Sequence, residues 1–281
     1  MRKHIPTITL FVALSALLLS ALLAPSGLAQ KKAPAKAPAK DKPAAQAPAA
    51  PQFMSVQVVR IHPGMGNEYQ EFLRTETLPA LQKAGVKMRS AWVRAVFGEA
   101  NEYVAVMPIE SMAQYDSPGP IVRALGEEGA RAYGAKAARF IANSRTFCLQ
   151  SRPDLSLEPK MNEPPKLAIG FDVSVAPGRA LDYESIIKTD FLPALKKADL
   201  KGVLVSRVAF GGDTNQYVVI ALYDSFAEIG KGSPLVRALG QEGANRLSQK
   251  TAGIVLRTEN AVWRYVPELS LPQPAPKAEN R

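Results

Sequence analysis

Hydrophobic positions change period along the chain, and each change predicts an element. From Leu167 to Val175, "LAIGFDVSV" alternates strictly, with Leu167, Ile169, Phe171, Val173 and Val175 on one face. A period of two predicts a strand. Pro177-Gly178 predicts a turn. "LDYESIIKTDFLPALKKA" then places Tyr183, Ile186, Ile187, Leu192 and Leu195 at helical spacing. "VLVSRVAF" and "QYVVIALY" predict two strands around the loop "GGDTN". "PLVRALGQEGANRLSQKTAGIV" predicts a helix opened by Pro234, and "NAVWRYV" a last strand. The segment reads β-α-β-β-α-β.

The same order occurs earlier in the chain. "VRALGEEGA" (Val122–Ala130) and "VRALGQEGA" (Val236–Ala244) differ only at Glu127 against Gln241. "HPG" at His62–Gly64 faces "APG" at Ala176–Gly178, and "TLPALQKAG" faces "FLPALKKAD". "RAVFGEANEYV" (Arg94–Val104) faces "RVAFGGDTNQYV" (Arg207–Val218), and "PDLSL" faces "PELSL", so the spacing drifts by a residue or two. The chain is a tandem duplication: a first repeat over 53–159 and a second over 166–273, joined by "EPKMNEPPK" and followed by a tail, 274–281. Two copies are too few for a solenoid. They are what a homodimer becomes when its genes fuse, with an intramolecular pseudo-dyad replacing a true one. Pro79 and Pro193 sit inside the first helix of each copy and free the carbonyls of Thr75 and Thr189. That predicts a kink that bends each helix around a curved sheet.

The remaining segments set compartment and charge. Arg2 and Lys3 precede an apolar run from Leu10 to Ala24, closed by Gly27-Leu28-Ala29. This predicts a signal peptide over 1–29, cleaved near Ala29, and an exported protein, periplasmic or secreted. A retained membrane anchor is the alternative, although the run is shorter than the roughly 20 residues of a span. Residues 30–52 are a Lys-Pro-Ala linker, extended and solvated. Lys31, Lys32, Lys36, Lys40 and Lys42 place much of the net charge of +10 there and in the signal, leaving the folded part only mildly basic. The linker could touch an anionic component of the cell envelope. Nucleic acid is not an expected partner: basic and aromatic residues do not interleave, and Glu128 and Glu242 in the shared "GxEG" would repel phosphate. Those paired glycines predict close packing or a break between short helices. Cys148 is the only cysteine, so no internal disulfide forms. In "TFCLQ" it reads as a small buried hydrophobe.

"VxPGxxxxYxxFLxTExLPAL", "RxxFG…NxYV" and "PhVRALG", set on a βαββαβ unit, resemble the dimeric α/β-barrel superfamily, most of all its NIPSNAP-type and antibiotic-biosynthesis-monooxygenase-like domains. The resemblance covers both repeats. It implies an α+β fold in which two tandem ferredoxin-like units form a pseudo-dimeric α/β barrel. It also implies a choice among cofactor-free monooxygenases, haem proteins and members with no activity, which fold alone does not make.

Candidate site residues follow from the repeats. Arg94 and Arg207 match in strands, and an arginine on an apolar face must find an acid, a carbonyl or an anionic ligand. Trp92 shares the Arg94 face, and Tyr103 and Tyr217 recur in the third strand of each unit. Ser55 and Gln57 stand where the second repeat has Ile169 and Phe171, so a cavity on that face would be asymmetric, with the first half more polar. His62 is the one histidine beyond the signal, and Ala176 stands in its place in the second repeat. No cluster has metal-ligand spacing and no cofactor is predicted; the resemblance leaves haem open, through His62 alone. Arg123 with Glu128 and Arg237 with Glu242 are five apart, a poor intrahelical spacing. Each is expected to pair across the seam between repeats. The partner expected from these residues is a small anionic or aromatic ligand. Three readings result: a non-catalytic ligand-binding barrel, a cofactor-independent monooxygenase, and an envelope module acting through the basic arm.

Overall fold

The computed structural model describes residues 52–160, 163–198 and 200–272. The expected signal peptide, all of the linker but Gln52, and the tail lie outside the described residues. The first repeat supplies strands β1 (Phe53–Ile61), β2 (Ser90–Arg94), β3 (Glu102–Ile109) and β4 (Ile141–Ser151). The second supplies β5 (Leu167–Val175), β6 (Val203–Phe210), β7 (Gln216–Tyr223) and β8 (Val255–Tyr265). All eight close an antiparallel barrel in the order β1-β3-β2-β8-β5-β7-β6-β4. Closure leaves no strand edge unpaired. The repeats meet at two seams: β2 pairs β8 through Trp92–Tyr265 and Arg94–Trp263, and β4 pairs β6 through Leu149–Val208 and Ser151–Ser206.

Alternation gives every strand two destinations. One face looks into the lumen, where Val56, Leu149 and Val208 pack with Met54, Val58, Val104 and Phe147. The other face looks outward to the helices. These are α1 (Gly66–Phe72), α2 (Leu78–Lys83) and α3 (Pro120–Ala138) on the first repeat, and α4 (Ala180–Ile186), α5 (Leu192–Lys197), α6 (Phe226–Ile229) and α7 (Pro234–Lys250) on the second. Ser55, Gln57, Ile169 and Phe171 are on this outward face and are half-buried, so the predicted asymmetry exists, but under the helices and not in the lumen.

The proline kink takes a specific form. A π-helical turn, Leu73–Thr77, joins α1 to α2, and a second, Ile187–Phe191, joins α4 to α5. The Leu78 amide reaches back to the Leu73 carbonyl, and the Leu192 amide to Ile187. This five-residue step absorbs the geometry ahead of Pro79 and Pro193, each within the first two positions of the following helix. The long helices break too. Gly126 (φ 71°, ψ 175°) and Gly240 (φ 69°, ψ 171°) leave the helical region in the middle of α3 and α7. Only glycine adopts that backbone readily. A Cβ on Gly129 would lie 2.8 Å from Leu125 Cβ, and one on Gly243 2.7 Å from Leu239 Cβ. The repeated "ALGxEGA" is therefore the sequence of a kinked helix, and the break read from the paired glycines is present.

Each repeat ends in an arm that lies on the other repeat. After β4, the 3-10 turn Pro153–Leu155 buries Leu155 completely among Leu167, Val203 and Tyr217 of the second repeat. After β8, the turn Pro267–Leu269 buries Leu269 completely among Val59, Tyr69 and Tyr103 of the first. Both arms are sewn down in the same way. Val205 N–H donates to Ser156 Oγ (2.9 Å) and Ala91 N–H to Ser270 Oγ (2.9 Å). Leu157 then bridges Val203, and Leu271 bridges Arg89. The recurrence of "PDLSL" as "PELSL" is explained by this exchange.

Strand register corrects one sequence match. Tyr103 pairs Val93, whereas Tyr217 pairs Arg207. The spacing does not drift: counterparts such as Tyr103 and Tyr217, or Leu155 and Leu269, are a constant 114 positions apart (103 to 217, 155 to 269). Arg207 therefore corresponds to Val93, and Arg94 to Val208. A slip of one residue moves a side chain to the opposite face.

Candidate ligand cavity

The space between the outward face and the helices differs between repeats. In the second it holds a cavity of about 340 Å³; at the corresponding place in the first, about 10 Å³ remains. The larger cavity is walled by Phe171 and Val173 of β5, Val203 and Val205 of β6, and Val219, Ala221 and Tyr223 of β7. Tyr183 and Ile187 close it from α4 and the π turn, Leu192 and Leu195 from α5, and Leu235 from α7. Leu155 reaches it from the first repeat's arm. The polar groups in the lining are hydroxyls: Tyr183, Tyr223, Ser233, Thr251 and Thr258.

Larger residues fill the equivalent space in the first repeat. Arg89, where the second repeat has Val203, is 6% exposed and donates to the Leu269 carbonyl. Burial pushes its guanidinium below the ordinary value, with Tyr69 and Tyr133 opposing that shift. Tyr133, where the second repeat has Leu247, reaches Thr77 Oγ1 at 2.8 Å and stacks on Phe72 at 5.0 Å. Phe140, opposite Ile254, packs 5.4 Å from Phe72. Met107 stands where the second repeat has Ala221. The first repeat is thus plugged by its own side chains and the second is not.

A charged network borders the open cavity. Arg152, on the arm, donates to both carboxylate oxygens of Glu184 on α4, and also to Asp154 at 2.9 Å. Tyr217 Oη donates to Glu184 Oε1 at 2.7 Å, and Lys188 meets Asp154 at 2.7 Å. Burial alone would raise the Glu184 carboxyl, but the bonds from Arg152 and Tyr217 bring it below its ordinary value. Arg152 holds Asp154 well below the carboxylate range, with Lys188 helping. Burial, with Glu184 next, pushes the Tyr217 phenol up to about 12. The first repeat has a neutral version: Gln70 Nε2 donates to Tyr103 Oη at 2.9 Å, and Val266 stands in place of Arg152.

The residues singled out in the sequence are not gathered at this cavity. Arg94 and Trp92 point into the lumen, where Arg94 pairs with Glu102 and its guanidinium carbon lies 4.2 Å from the Trp263 ring centre. Its charge is engaged, although its buried Nε has no partner among the described residues. Arg207 lies on the other face, over Tyr217 at 5.8 Å, and its Nε donates to Thr214 O at 2.8 Å, securing the β6–β7 loop. Gln57 and Tyr103 line the filled remnant in the first repeat. Tyr217 belongs to the Glu184 network, as just described. His62 is an exposed turn residue whose amide donates to Phe140 O at 2.8 Å. The seam pairing expected of Arg123, Glu128, Arg237 and Glu242 is corrected by the structure, since α3 and α7 lie outside the barrel. Arg123 donates to Pro118 O and to Ala84 O, tying α3 to the end of α2, while Arg237 donates to Ala198 O, tying α7 to the end of α5. Glu242 lies 3.8 Å from Arg246 on the same helix, and Glu128 is exposed. Cys148 is half-buried on β4, and burial pushes its thiol up, away from a reactive thiolate.

Haem iron takes an imidazole, thiolate, thioether or phenolate ligand. Among the described residues the cavity lining offers only phenols, Tyr183 and Tyr223, and burial holds both above their ordinary value and so in the neutral form. The lining of this cavity does not fit haem. No group of three or more potential metal ligands occurs among the described residues.

Eight antiparallel strands closed into one barrel, with ferredoxin-like helices on the outer faces, are the dimeric α/β-barrel fold. No protein-family model matches the chain, and no curated protein matches it. Among solved structures, a candidate monooxygenase from Lactobacillus acidophilus NCFM is similar with a TM-score of 0.53 at 8% identity, over 80% of this chain and 98% of its own. An anthrone oxidase-like protein is similar with a TM-score of 0.51 at 13% identity, over 76% of this chain and 91% of its own. A NIPSNAP-like domain protein from Burkholderia xenovorans aligns over 41% of this chain and 90% of its own, with a TM-score of 0.29 and 16% identity.

Proposed function

We propose that this chain is a fused pseudo-dimer in which only the second half binds a ligand, a neutral apolar small molecule, while the first half is a filled support. The observation that carries this reading is the contrast of about 340 Å³ against about 10 Å³ at equivalent places. A dry apolar cavity of roughly 150 Å³ takes up benzene, so about twice that volume suits a two-ring molecule or a short acyl chain. Hydroxyls in the lining can orient one or two oxygen atoms of the ligand. They leave a carboxylate or ammonium without a counter-charge, which disfavours the anionic ligand expected from Arg94.

The test is to copy the first repeat's filling into the second. Ala221→Met, which reproduces Met107, is expected to abolish binding of naphthalene, read by its fluorescence, and to leave the fold intact by circular dichroism. Undiminished binding would place the ligand elsewhere. The second reading, a cofactor-independent oxygenase, draws on the monooxygenase and anthrone oxidase-like names of the two similar structures. It requires a substrate acidic enough to react without a strong base, because the lining, among the described residues, contributes only phenols and alcohols. Oxygen uptake on addition of anthrone, lost in Ala221→Met, would establish it.

We also propose export, with cleavage near Ala29, and retention at the envelope through the lysines of 30–52. Cell fractionation should find the mature chain outside the cytoplasm and should show the variant lacking 30–52 released from the envelope. A cytoplasmic full-length chain would refute the first claim and equal retention the second.

A further inference from the structure

We propose that the first repeat sets the size of the ligand that the second repeat accepts, through Leu155 on its exchanged arm. This rests on the reading of the cavity as the ligand site. Leu155 is the wall residue that does not come from the second repeat, and it is wholly buried. Its arm is anchored through backbone bonds to β6 and not through the Leu155 side chain. Arg152 N–H donates to Val205 O at 2.8 Å, Leu157 and Val203 exchange bonds at 2.8 and 2.9 Å, and Ser156 Oγ accepts from Val205 N–H. A side chain carried on such a fixed strut can be shortened without moving the sheet or the helices.

The charged contact on the same arm shows what holds this wall in place. Tyr183 lines the cavity and Glu184 is the next residue of α4, so the Arg152–Glu184 pair ties the arm to a helix that forms another wall. In the first repeat, Val266 and Gln70 occupy these positions, and aromatic packing of Phe72, Tyr133 and Phe140 holds the helix instead. The ion pair thus occurs where packing across the gap is missing. Leu155 is a specificity-determining residue and Arg152 a positioning residue.

The exchanged arms supply an internal control, because Leu269 occupies the same place over the filled half. Binding of naphthalene and phenanthrene is measured by their fluorescence with the full chain. The unaltered protein is expected to prefer naphthalene. Leu155→Ala should shift the ratio of affinities toward phenanthrene by about tenfold, the lower end of the discrimination for one methylene in an apolar pocket. Leu269→Ala, an equal truncation in the other arm, should leave the ratio unchanged. If Leu155→Ala does not fold, Leu155→Val should shift the ratio in the same direction by a smaller factor. A ratio unchanged in the folded Leu155 variant, or shifted equally by Leu269→Ala, overturns the proposal while leaving the cavity reading in place. Failure of the unaltered protein to bind either probe overturns both.

Discussion

Glu184→Leu is expected to cost about 3–5 kcal/mol of folding stability, read as a lower urea midpoint. The carboxylate is buried, and removing it leaves the Arg152 guanidinium and the Tyr217 hydroxyl facing a hydrocarbon. The half-exposed Asp154 and Lys188 compensate little, because solvent screens such contacts. The double variant Arg152→Val with Glu184→Gln installs the first repeat's Val266–Gln70 arrangement and should recover most of the loss, as replacing a whole buried pair commonly does. The pH dependence follows from the same contacts. The folded-state values of Glu184 and Asp154 are depressed, so their contribution is complete above the unfolded values of 4.5 and 3.8 and fades as pH falls through the folded ones. The unaltered protein should therefore lose stability in acid more steeply than the double variant, in urea titrations between about pH 5 and pH 3. Identical acid profiles would show that the network does not contribute.

Opening the first repeat should create a second site. Arg89→Val with Met107→Ala and Tyr133→Leu substitutes the second repeat's Val203, Ala221 and Leu247 for three of the side chains that fill the space. Tyr133→Leu alone is expected to cost about 2–4 kcal/mol, because it removes an aromatic ring from a packed layer and leaves Thr77 Oγ1 without its partner. Arg89→Val exposes the Leu269 carbonyl but removes a buried cation that has no acid beside it, so its net effect is expected to be smaller. The combined variant, if folded by circular dichroism, should bind two naphthalene molecules per chain instead of one. A stoichiometry that stays at one would show that features outside these three positions close the first repeat.

Much of the fold was legible because period and punctuation are local. The alternation from Leu167 to Val175 is the whole of β5, and the glycines of "ALGxEGA" mark a true helix break. Pro79 and Pro193 marked a helix irregularity, although a π turn, and not a simple kink, accommodates them. The pairing of Arg94 with Arg207 failed because identical letters were matched across a one-residue offset, and strand register, not identity, decides which face a residue takes. Counting a constant interval would have separated them. The cavity was missed for a different reason. Its sign is the absence of bulk at Val203 and Ala221, and absence becomes visible only against Arg89 and Met107 in the first repeat. The residues chosen for their polarity, Arg94, Trp92 and Arg207, already had internal partners. Nothing local in "PDLSL" told which sheet it would cover.

The crossed arms bear on how the molecule is made. Leu269, which completes the first layer, follows β8, so it is made only after every strand of the barrel. Until then the first βαββαβ segment has an open groove beside Val59 and Tyr103 and two bare strand margins, β2 and β4. The first half cannot complete its layer until the second has been made. Completion of the first layer is therefore a late event, and a nascent or truncated half is the species most exposed to pairing with a stranger.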